Sequence, residues 1–413
     1  MRNIYFYLII AFYVTDFIWD QILSHLDRTC MNPVMPKECE GVYEPEEYAR
    51  QQAYQRNNDR FETISEGFFF AIGLTILLIG GLGWLDSYIR QYTEHYILLP
   101  LAFFGILSTG AWIMSIPFDC YDTFVIEHKF GFNKTTPGTF VADKLKFLPL
   151  LLVLQSVLLT IVLVAYEFAG EWFWISAWVA VSIISLVISF FYSEWIVPIF
   201  NKQTPLEEGE LRTAIEVFTK KASFPLRNIY VIDGSKRSTK SNAYFTGFGK
   251  KKRIVLYDTL KDDLDTEEIV AVLAHEIGHY KKRHIIYMIA ISLATTGFML
   301  WMLSMFLDNP AIAHALGGKA TSFHLGIAGF SLLYSPISSL LDLAAHCISR
   351  RHEYAADRFA ASHDMSDSLV AALRKLSSKS LVNLTPHPWV VFWCYSHPPL
   401  LQRIYHLRSI RST

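Results

Sequence analysis

Two histidines and a glutamate near the middle of the chain have the types and the spacing needed for metal-assisted hydrolysis. Residues 265–283 contain His275, Glu276 and His279 in the order HExxH. On an α-helix the two histidines lie one turn apart on one face, where both imidazoles reach a single Zn²⁺. Glu276 adjoins the first histidine and is placed to take a proton from a water at the metal. We therefore expect His275 and His279 to be zinc ligands and Glu276 to be the catalytic base.

A helix over this segment is predicted independently of the motif. Asp265 is a favourable N-cap, Glu268 stands at the N3 position of a capping box, and apolar residues recur at helical spacing. These apolar residues are Ile269, Val270, Leu273 and Ile277. A chance match of the motif on an amphipathic helix is the alternative interpretation, so the metal assignment depends on further ligands elsewhere in the chain.

The chain is unusually apolar for its 413 residues, of which 52% are hydrophobic and 18% are charged. Soluble proteins carry about 25% charged residues. Seven apolar runs are each long enough to cross a bilayer as a helix. These runs are residues 4–23, 67–84, 96–116, 147–164, 174–196, 285–307 and 325–341. The alternative is a large soluble protein with long buried helices, but so many long runs are rare in soluble cores. We expect an all-α polytopic membrane protein with about seven spans.

Basic residues are distributed unevenly over the connections between these runs. The first, third and fifth connections and the C-terminal tail are rich in lysine and arginine, whereas the second, fourth and sixth are nearly free of them. The positive-inside rule then places the N-terminus outside or in the lumen, and the HExxH segment and the C-terminus in the cytosol. The net charge of −1 gives no basis for nucleic-acid binding.

Processing and disulfide signals are weak. Residues 1–23 lack a small-residue cleavage site and are interpreted as a retained first span, not a secretory signal. The five cysteines lack metal-ligand spacing and face the cytosol or its border in this topology, so we expect no disulfide framework. The glycosylation patterns at Asn133 and Asn383 also fall on that side and are expected to be unmodified.

The chain divides into four parts by composition. Between the fifth and sixth runs, a helix over 207–222 and strands over 228–232, 242–245 and 253–257 are predicted, with a hairpin turn at Gly247 and Gly249. Two more helices follow the last run, separated by a proline- and histidine-containing link at 386–399. The four parts are a membrane region (1–200), a cytosolic part with the HExxH helix (201–284), spans six and seven (285–345), and the C-terminal part of the same small α+β zincin-like domain (346–413).

A catalytic zinc site needs a third protein ligand. After the last run, Glu353 and Asp357 are one helical turn apart. This spacing suits one carboxylate on the metal and a second carboxylate behind a ligand histidine, although a solvated acidic face is the alternative. His352 is expected to be a bystander on the same helix. By residue type alone, the remaining candidates are His284, His346 and His387.

Six motifs together resemble the integral-membrane CaaX prenyl endopeptidases, which are zinc metalloproteases that remove the last three residues of prenylated proteins. The motifs are FGFNKTT (130–136), TPLEEGELR (204–212), SNAYF (241–245), HEIGH (275–279), SRRHEYAAD (349–357) and YSHPPLLQRI (395–404). The resemblance covers most of the chain. It implies seven long helices that enclose a water-filled chamber within the membrane, with one zinc site at its cytosolic end.

The resemblance also implies roles for individual residues. It makes His275, His279 and Glu353 the ligands of one Zn²⁺ per chain. It makes Glu276 the catalytic base, and Asp357 the hydrogen-bond partner of a ligand histidine.

Asn242 and His397 are placed near the scissile carbonyl by the same resemblance. Donors there stabilise the charge that develops on the peptide oxygen, and strand 242–245 would hold the peptide by strand addition. From residue type alone, Asn242 is a turn residue and His397 a helix-start residue. Arg350 and Arg351 are candidates to pair with acidic neighbours or a C-terminal carboxylate, with a solvated basic face as the default.

The expected function is zinc-dependent removal of the aaX residues of prenylated CaaX proteins at the cytosolic membrane face. The partners expected are a prenylated or otherwise membrane-associated substrate and the lipid bilayer, and no nucleic acid. One alternative is a quality-control zinc protease of the same clan. Another is a transporter or receptor whose structural zinc is closed by a fourth protein ligand. The membrane is the endoplasmic reticulum if the source is eukaryotic, and the inner membrane if it is bacterial.

Overall fold

The first half of the chain is helical in a computed structural model, which describes residues 3–246 and 252–411. Its helices are α1 (Ile4–Thr29), α2 (Pro45–Leu78), α3 (Gly81–Ile89), α4 (Leu98–Tyr121), α5 (Pro137–Ala169), α6 (Phe173–Trp195) and α7 (Val197–Phe200). A π-helical segment, Asp122–Glu127, extends α4. Thr136 caps α5 and Pro137 occupies its first turn, so α5 begins ten residues before the fourth apolar run.

The second half combines a small sheet with further helices. In chain order its elements are β1 (Gln203–Pro205), α8 (Glu210–Lys221), β2 (Leu226–Ile232), β3 (Ala243–Thr246), β4 (Lys252–Tyr257), α9 (Asp258–Asp263), α10 (Thr266–Lys281), α11 (His284–Phe306), α12 (Pro310–Ala315), α13 (Phe323–Ala361), α14 (Ser366–Lys379), α15 (Pro388–Cys394) and α16 (Leu400–Arg411). The predicted link at 386–399 therefore contains a short helix, α15.

The sheet has the strand order β1-β2-β4-β3, with β2 and β4 parallel and both outer pairs antiparallel. The three predicted strands correspond to β2, β3 and β4. Strand β1 was missed because it has only three residues and ends at Pro205. The predicted turn at Gly247 and Gly249 lies outside the described residues. Strand β3 forms one edge of this sheet.

Six helical stretches of the described chain are long and apolar enough to cross a membrane. The longest, 137–200, contains both α5 and α6, separated by a turn at Gly170–Trp172. Because α5 and α6 each correspond to one predicted run, the six stretches account for the seven predicted runs, the second of them only in part. The prediction of an all-α polytopic membrane protein is confirmed. In each stretch only 6–17% of the most apolar window is buried, as expected for helices that border lipid or internal space. The second run differs in one respect, because α2 ends before Gly80, which has a φ of +69°.

Helix α10 begins as its capping pattern predicts. The Asp265 side chain accepts a hydrogen bond from the Glu268 backbone N–H, and the Glu268 carboxylate accepts one from the Asp265 N–H, both at 3.0 Å. The apolar residues at helical spacing are buried in the core of the α/β unit. They are Ile269, Val270, Leu273 and Ile277. Burial of this face fixes the rotation of α10, and with it the direction of its histidines.

Gly278 allows α10 to lie close to α13. A Cβ atom at this position would be 3.0 Å from the Cα atom of Ala356 and 3.0 Å from the Cβ atom of Phe359, which is tighter than ordinary contact. Helix α13 is continuous over 39 residues, so no break occurs at the predicted boundary between 345 and 346. The last membrane helix therefore carries Glu353 directly past α10.

Candidate metal centre

Three side chains from two helices converge where α10 crosses α13. The Nε2 atoms of His275 and His279 are 3.1 Å apart. The Oε2 atom of Glu353 lies 3.4 Å from Nε2 of His275, and its Oε1 atom lies 3.2 Å from Nε2 of His279. Ligands of a tetrahedral ion bound at 2.0–2.1 Å are roughly 3.3 Å apart. The donor atoms are therefore spaced as one ion would hold them.

The carboxylate of Glu353 provides an independent test of this fit. Its Oε2 atom is buried and has no hydrogen-bond partner among the described residues. The whole residue is only 3% exposed. A buried carboxylate oxygen without a partner costs free energy, which a bound cation offsets. The described donor group contains three residues, which leaves a fourth tetrahedral position for water.

Asp357 and Arg403 lie behind His275, on the side of its ring away from the other two donor residues. The Nδ1–H of His275 donates to Oδ1 of Asp357 at 2.8 Å, which leaves Nε2 free for a metal. Arg403, on α16, donates two hydrogen bonds to the Asp357 carboxylate, at 2.6 and 3.0 Å. Its Nη1 atom also lies 3.6 Å from Oε2 of Glu353. One guanidinium therefore balances two buried carboxylates.

Arg403 was not assigned a role from the sequence, although it lies in the YSHPPLLQRI motif. Its side chain is only 11% exposed. One signal was present, because Arg403 follows Leu400 by three residues and precedes Leu407 by four, and both leucines are buried. An arginine on the apolar face of a helix requires a buried partner.

Hydrogen bonding changes the proton affinity of the site. Burial alone lowers the pKa of His275, but the neighbouring carboxylates of Asp357 and Glu353 outweigh that effect and raise the pKa above its usual value. A proton on Nε2 competes with a metal ion, so metal affinity is expected to fall as the pH falls. Burial likewise opposes the charge of Arg403, but the two carboxylates raise its pKa. Arg403 therefore remains a cation.

Glu276 and His397 face the same internal space as the metal donors. Both line a cavity of about 710 Å³ together with His279 and Glu353. The Nε2 atom of His397 lies 3.4 Å from Oε1 of Glu353, and the His397 side chain is 65% exposed. It can therefore contact a bound molecule as well as the donor group.

Asn242 lies at the start of β3 and is not among the residues that line this cavity. Its Oδ1 atom accepts a hydrogen bond from the N–H of Ala243 at 2.8 Å. Tyr244 and Phe245, two and three residues further along β3, do line the cavity. Successive residues of a strand point to opposite faces, so the cavity runs along the edge of β3. The predicted role of Asn242 near a scissile carbonyl stays a prediction.

The other candidate histidines lie outside the donor group. The ring of His284 stacks on that of His352 at 3.9 Å, and its Nδ1 atom lies 3.1 Å from Nδ1 of the ligand His279. His284 thus contacts His279 and is not a member of the donor group found among the described residues. The His346 ring donates to a backbone carbonyl at 2.9 Å, and His387 caps α15.

Arg350 differs from the sequence-based interpretation. It was considered a partner for acidic neighbours or for a C-terminal carboxylate, with a solvated face as the default. Instead its guanidinium donates to the carbonyl oxygens of Val391 and Tyr395, at the C-terminal end of α15. Carbonyl groups at the end of a helix are unsatisfied within the helix and attract a cation. Arg350 therefore fastens α15 to α13.

Replacing Asp357 with asparagine is expected to weaken metal binding about 10- to 100-fold. The neutral amide of asparagine is a weaker acceptor for the Nδ1–H of His275 than the charged carboxylate of Asp357. Competition with a chromogenic chelator measures this affinity. The matched control is Asp364→Asn, which removes an exposed carboxylate just beyond α13. An unchanged affinity in Asp357→Asn would contradict its supporting role.

The fold and this site define a membrane-embedded metallopeptidase, and comparisons with known proteins agree. Residues 25–202 match a family model described as the CAAX prenyl protease N-terminal region with five membrane helices, and residues 205–411 match peptidase family M48. The chain is 34% identical to a rice CAAX prenyl protease 1 homolog over 98% of this chain and 97% of the relative. It is 31% identical to the human CAAX prenyl protease 1 homolog over 98% and 95%.

A solved structure agrees with these matches. The fold superposes on the crystal structure of S. mikatae Ste24p with a TM-score of 0.93 and 30% sequence identity, covering 98% of this chain and all of that one. The chain belongs to peptidase family M48, among the CAAX prenyl protease 1 homologues.

Proposed function

We propose that this chain is a zinc endopeptidase that removes the three C-terminal residues of prenylated CaaX proteins. The observation that carries the chemistry is the three-donor site of α10 and α13, which opens on the cavity that Glu276 lines. Two imidazoles and one carboxylate form a donor set that suits one Zn²⁺. The names of the relatives, CAAX prenyl proteases, support the substrate class.

Each residue of the site has a separate role in peptide hydrolysis. Zinc, when bound, supplies Lewis acidity and lowers the pKa of its water. Glu276 accepts a proton from the attacking water and returns it to the leaving amine. His397 donates a hydrogen bond to the carbonyl oxygen as charge develops there, and Asn242 anchors the peptide beside β3. His275, His279 and Glu353 hold the ion, and Asp357 keeps His275 in the required tautomer.

The position of the cavity supports a substrate with a lipid chain. Its wall continues from the donor group onto α6 and α11, which are membrane-length helices. The contributing residues are Ser189, Phe190, Ile285, Met288, Ile289 and Ser292. A prenyl chain attached next to the scissile bond would occupy this mostly apolar wall while the peptide lies beside β3.

We place the site at the cytosolic face, because the basic connections lie on the side of the HExxH segment. The relatives reported above come from eukaryotes, which favours the endoplasmic reticulum over a bacterial inner membrane. Protease digestion of sealed microsomes carrying a C-terminal epitope tag tests this orientation. Loss of the tag without detergent is expected, and a protected tag would reverse the assignment.

The substrate test compares a farnesylated CaaX peptide with its unprenylated twin, using purified zinc-loaded protein. We expect release of the aaX tripeptide from the farnesylated peptide alone, detected by mass spectrometry. Equal cleavage of both peptides would favour the quality-control protease. Cleavage of neither, with zinc bound, would favour a structural metal site.

A further inference from the structure

Lys252 places a buried ammonium group in the wall of the catalytic cavity. The residue is 4% exposed and lines the same cavity as Glu276 and His279. Its Nζ atom has no hydrogen-bond partner among residues 3–246 and 252–411. An ammonium group carries three N–H donors, and a buried charge without a partner is costly. The site therefore favours a ligand that brings an anion.

Two aromatic rings lie close to this ammonium group. Nζ lies 3.1 Å from the ring centre of Tyr280 and 5.0 Å from that of Phe224. Ring faces attract a cation, but they are not the strong hydrogen-bond acceptors that N–H donors require. Tyr280 directly follows the metal donor His279. The charge is therefore fixed beside the site, and its remaining donors are available to a bound molecule.

The position of Lys252 in the sheet indicates which part of a substrate it meets. It precedes Arg253, which pairs with Thr246 at the far end of edge strand β3 from Asn242. A peptide that adds antiparallel to the free edge of β3 runs from the Thr246 end towards Asn242. Residues before the scissile bond then lie at the Lys252 end, and the departing tripeptide lies at the Asn242 end.

Hydrolysis creates an anion on the part of the substrate that stays at this end. Water adds across the amide bond after the prenylated cysteine, the C–N bond breaks, and the neutral amide becomes a carboxylate on the cysteine and an ammonium on the tripeptide. The shortened product is thus an apolar chain with a new carboxylate. The cavity offers an apolar wall from α6 and α11 and, in Lys252, an ammonium group that has no hydrogen-bond partner among the residues described.

We propose that Lys252 binds the newly formed prenylcysteine carboxylate and so makes the enzyme hold its product more tightly than its substrate, in which the same carbonyl belongs to an uncharged amide. This assignment rests on the proposed function, because it takes the prenylated cysteine as the residue before the scissile bond. It makes release of the shortened protein slower than release of the tripeptide. The substrate places no charge at this position, so Lys252 favours binding of the product over binding of the substrate.

The test measures direct binding of N-acetyl-farnesylcysteine and of its uncharged methyl ester, by displacement of a fluorescent farnesyl probe. We expect the wild-type protein to bind the acid about 10- to 100-fold more tightly than the ester. Lys252→Met is expected to bind both equally, at the affinity of the ester. Lys252→Arg keeps the charge and is expected to keep the preference. The matched control, Lys261→Met, removes an exposed lysine from α9 and should behave as wild type.

The rival explanation is a carboxylate bound to the metal. The same measurement on metal-free protein separates the two, because a preference held by Lys252 persists without metal and one held by the ion disappears. Preference unchanged in Lys252→Met, or equal loss of acid and ester binding in that variant, would overturn the assignment. A wild-type protein that cleaves farnesylated peptide but binds acid and ester equally overturns this assignment alone. Failure to cleave any farnesylated peptide overturns the proposed function as well.

Discussion

Replacing Glu276 with glutamine is expected to lower kcat by about 10²- to 10⁴-fold while metal content stays at the wild-type level. Glu276 lines the cavity, but it is outside the group His275, His279 and Glu353. Glutamine keeps the shape of the side chain and cannot accept the proton. The loss therefore falls on proton transfer and not on metal binding or folding.

Two measurements on the same preparation check this result. Elemental analysis gives the zinc content, and single-turnover cleavage of a farnesylated CaaX peptide gives the rate of the chemical step. The control variant Glu267→Gln neutralises an exposed carboxylate in the first turn of the same helix, and its rate should equal that of wild type. Normal turnover in Glu276→Gln would contradict the role of Glu276 as the base. Loss of zinc from this variant would instead indicate that Glu276 binds the metal.

Arg403→Met is expected to destabilise the folded protein by about 3–5 kcal/mol, because removal of one member of a buried ion pair leaves the other charge uncompensated. Asp357 is fully buried, and Arg403 holds it with two hydrogen bonds. The same guanidinium lies near Glu353. In the variant, both carboxylates would lack the positive charge of the Arg403 guanidinium. We therefore expect the metal affinity to change as well as the free energy of unfolding.

Unfolding in mixed detergent, followed by tryptophan fluorescence, measures this free energy. Arg408→Met removes an exposed arginine from the same helix and is expected to change stability by less than about 0.5 kcal/mol. The double variant Arg403→Met/Asp357→Asn removes both charges, and its cost should be smaller than the sum of the single costs. Equal effects of Arg403→Met and Arg408→Met would exclude a buried charge network.

Local patterns in the chain were sufficient for several elements of this protein. The capping pair Asp265 and Glu268 and the apolar spacing that follows defined α10 and the face on which His275 and His279 lie. Runs of apolar residues long enough for a bilayer defined the membrane helices in the same way. These features depend on backbone geometry and on transfer of side chains from water, which act over a few turns of chain.

The distances between residues on different helices could not be predicted from the sequence and became known only from the folded structure. The spacing of Glu353 and Asp357 indicated a shared helix face, but a solvated acidic surface had the same pattern. Their approach to His275 depends on a continuous α13 and on Gly278, which brings two helix backbones close together. Residue spacing does not encode such packing, because it depends on which faces of distant helices fit together.

Arg403 and Lys252 illustrate the same limit for charges. In the sequence they are basic residues like many others in the connections between the apolar runs and in the C-terminal tail. Packing of α16 against α13 buries Arg403 between two carboxylates. Lys252, the first residue of β4, is buried beside Tyr280, and its Nζ atom has no hydrogen-bond partner in the part of the chain that the structure describes. The sequence around the HExxH pattern therefore specified α10 and the face that carries its two histidines. The charges around that helix, and the cavity that receives a substrate, arise from contacts between segments far apart in the chain.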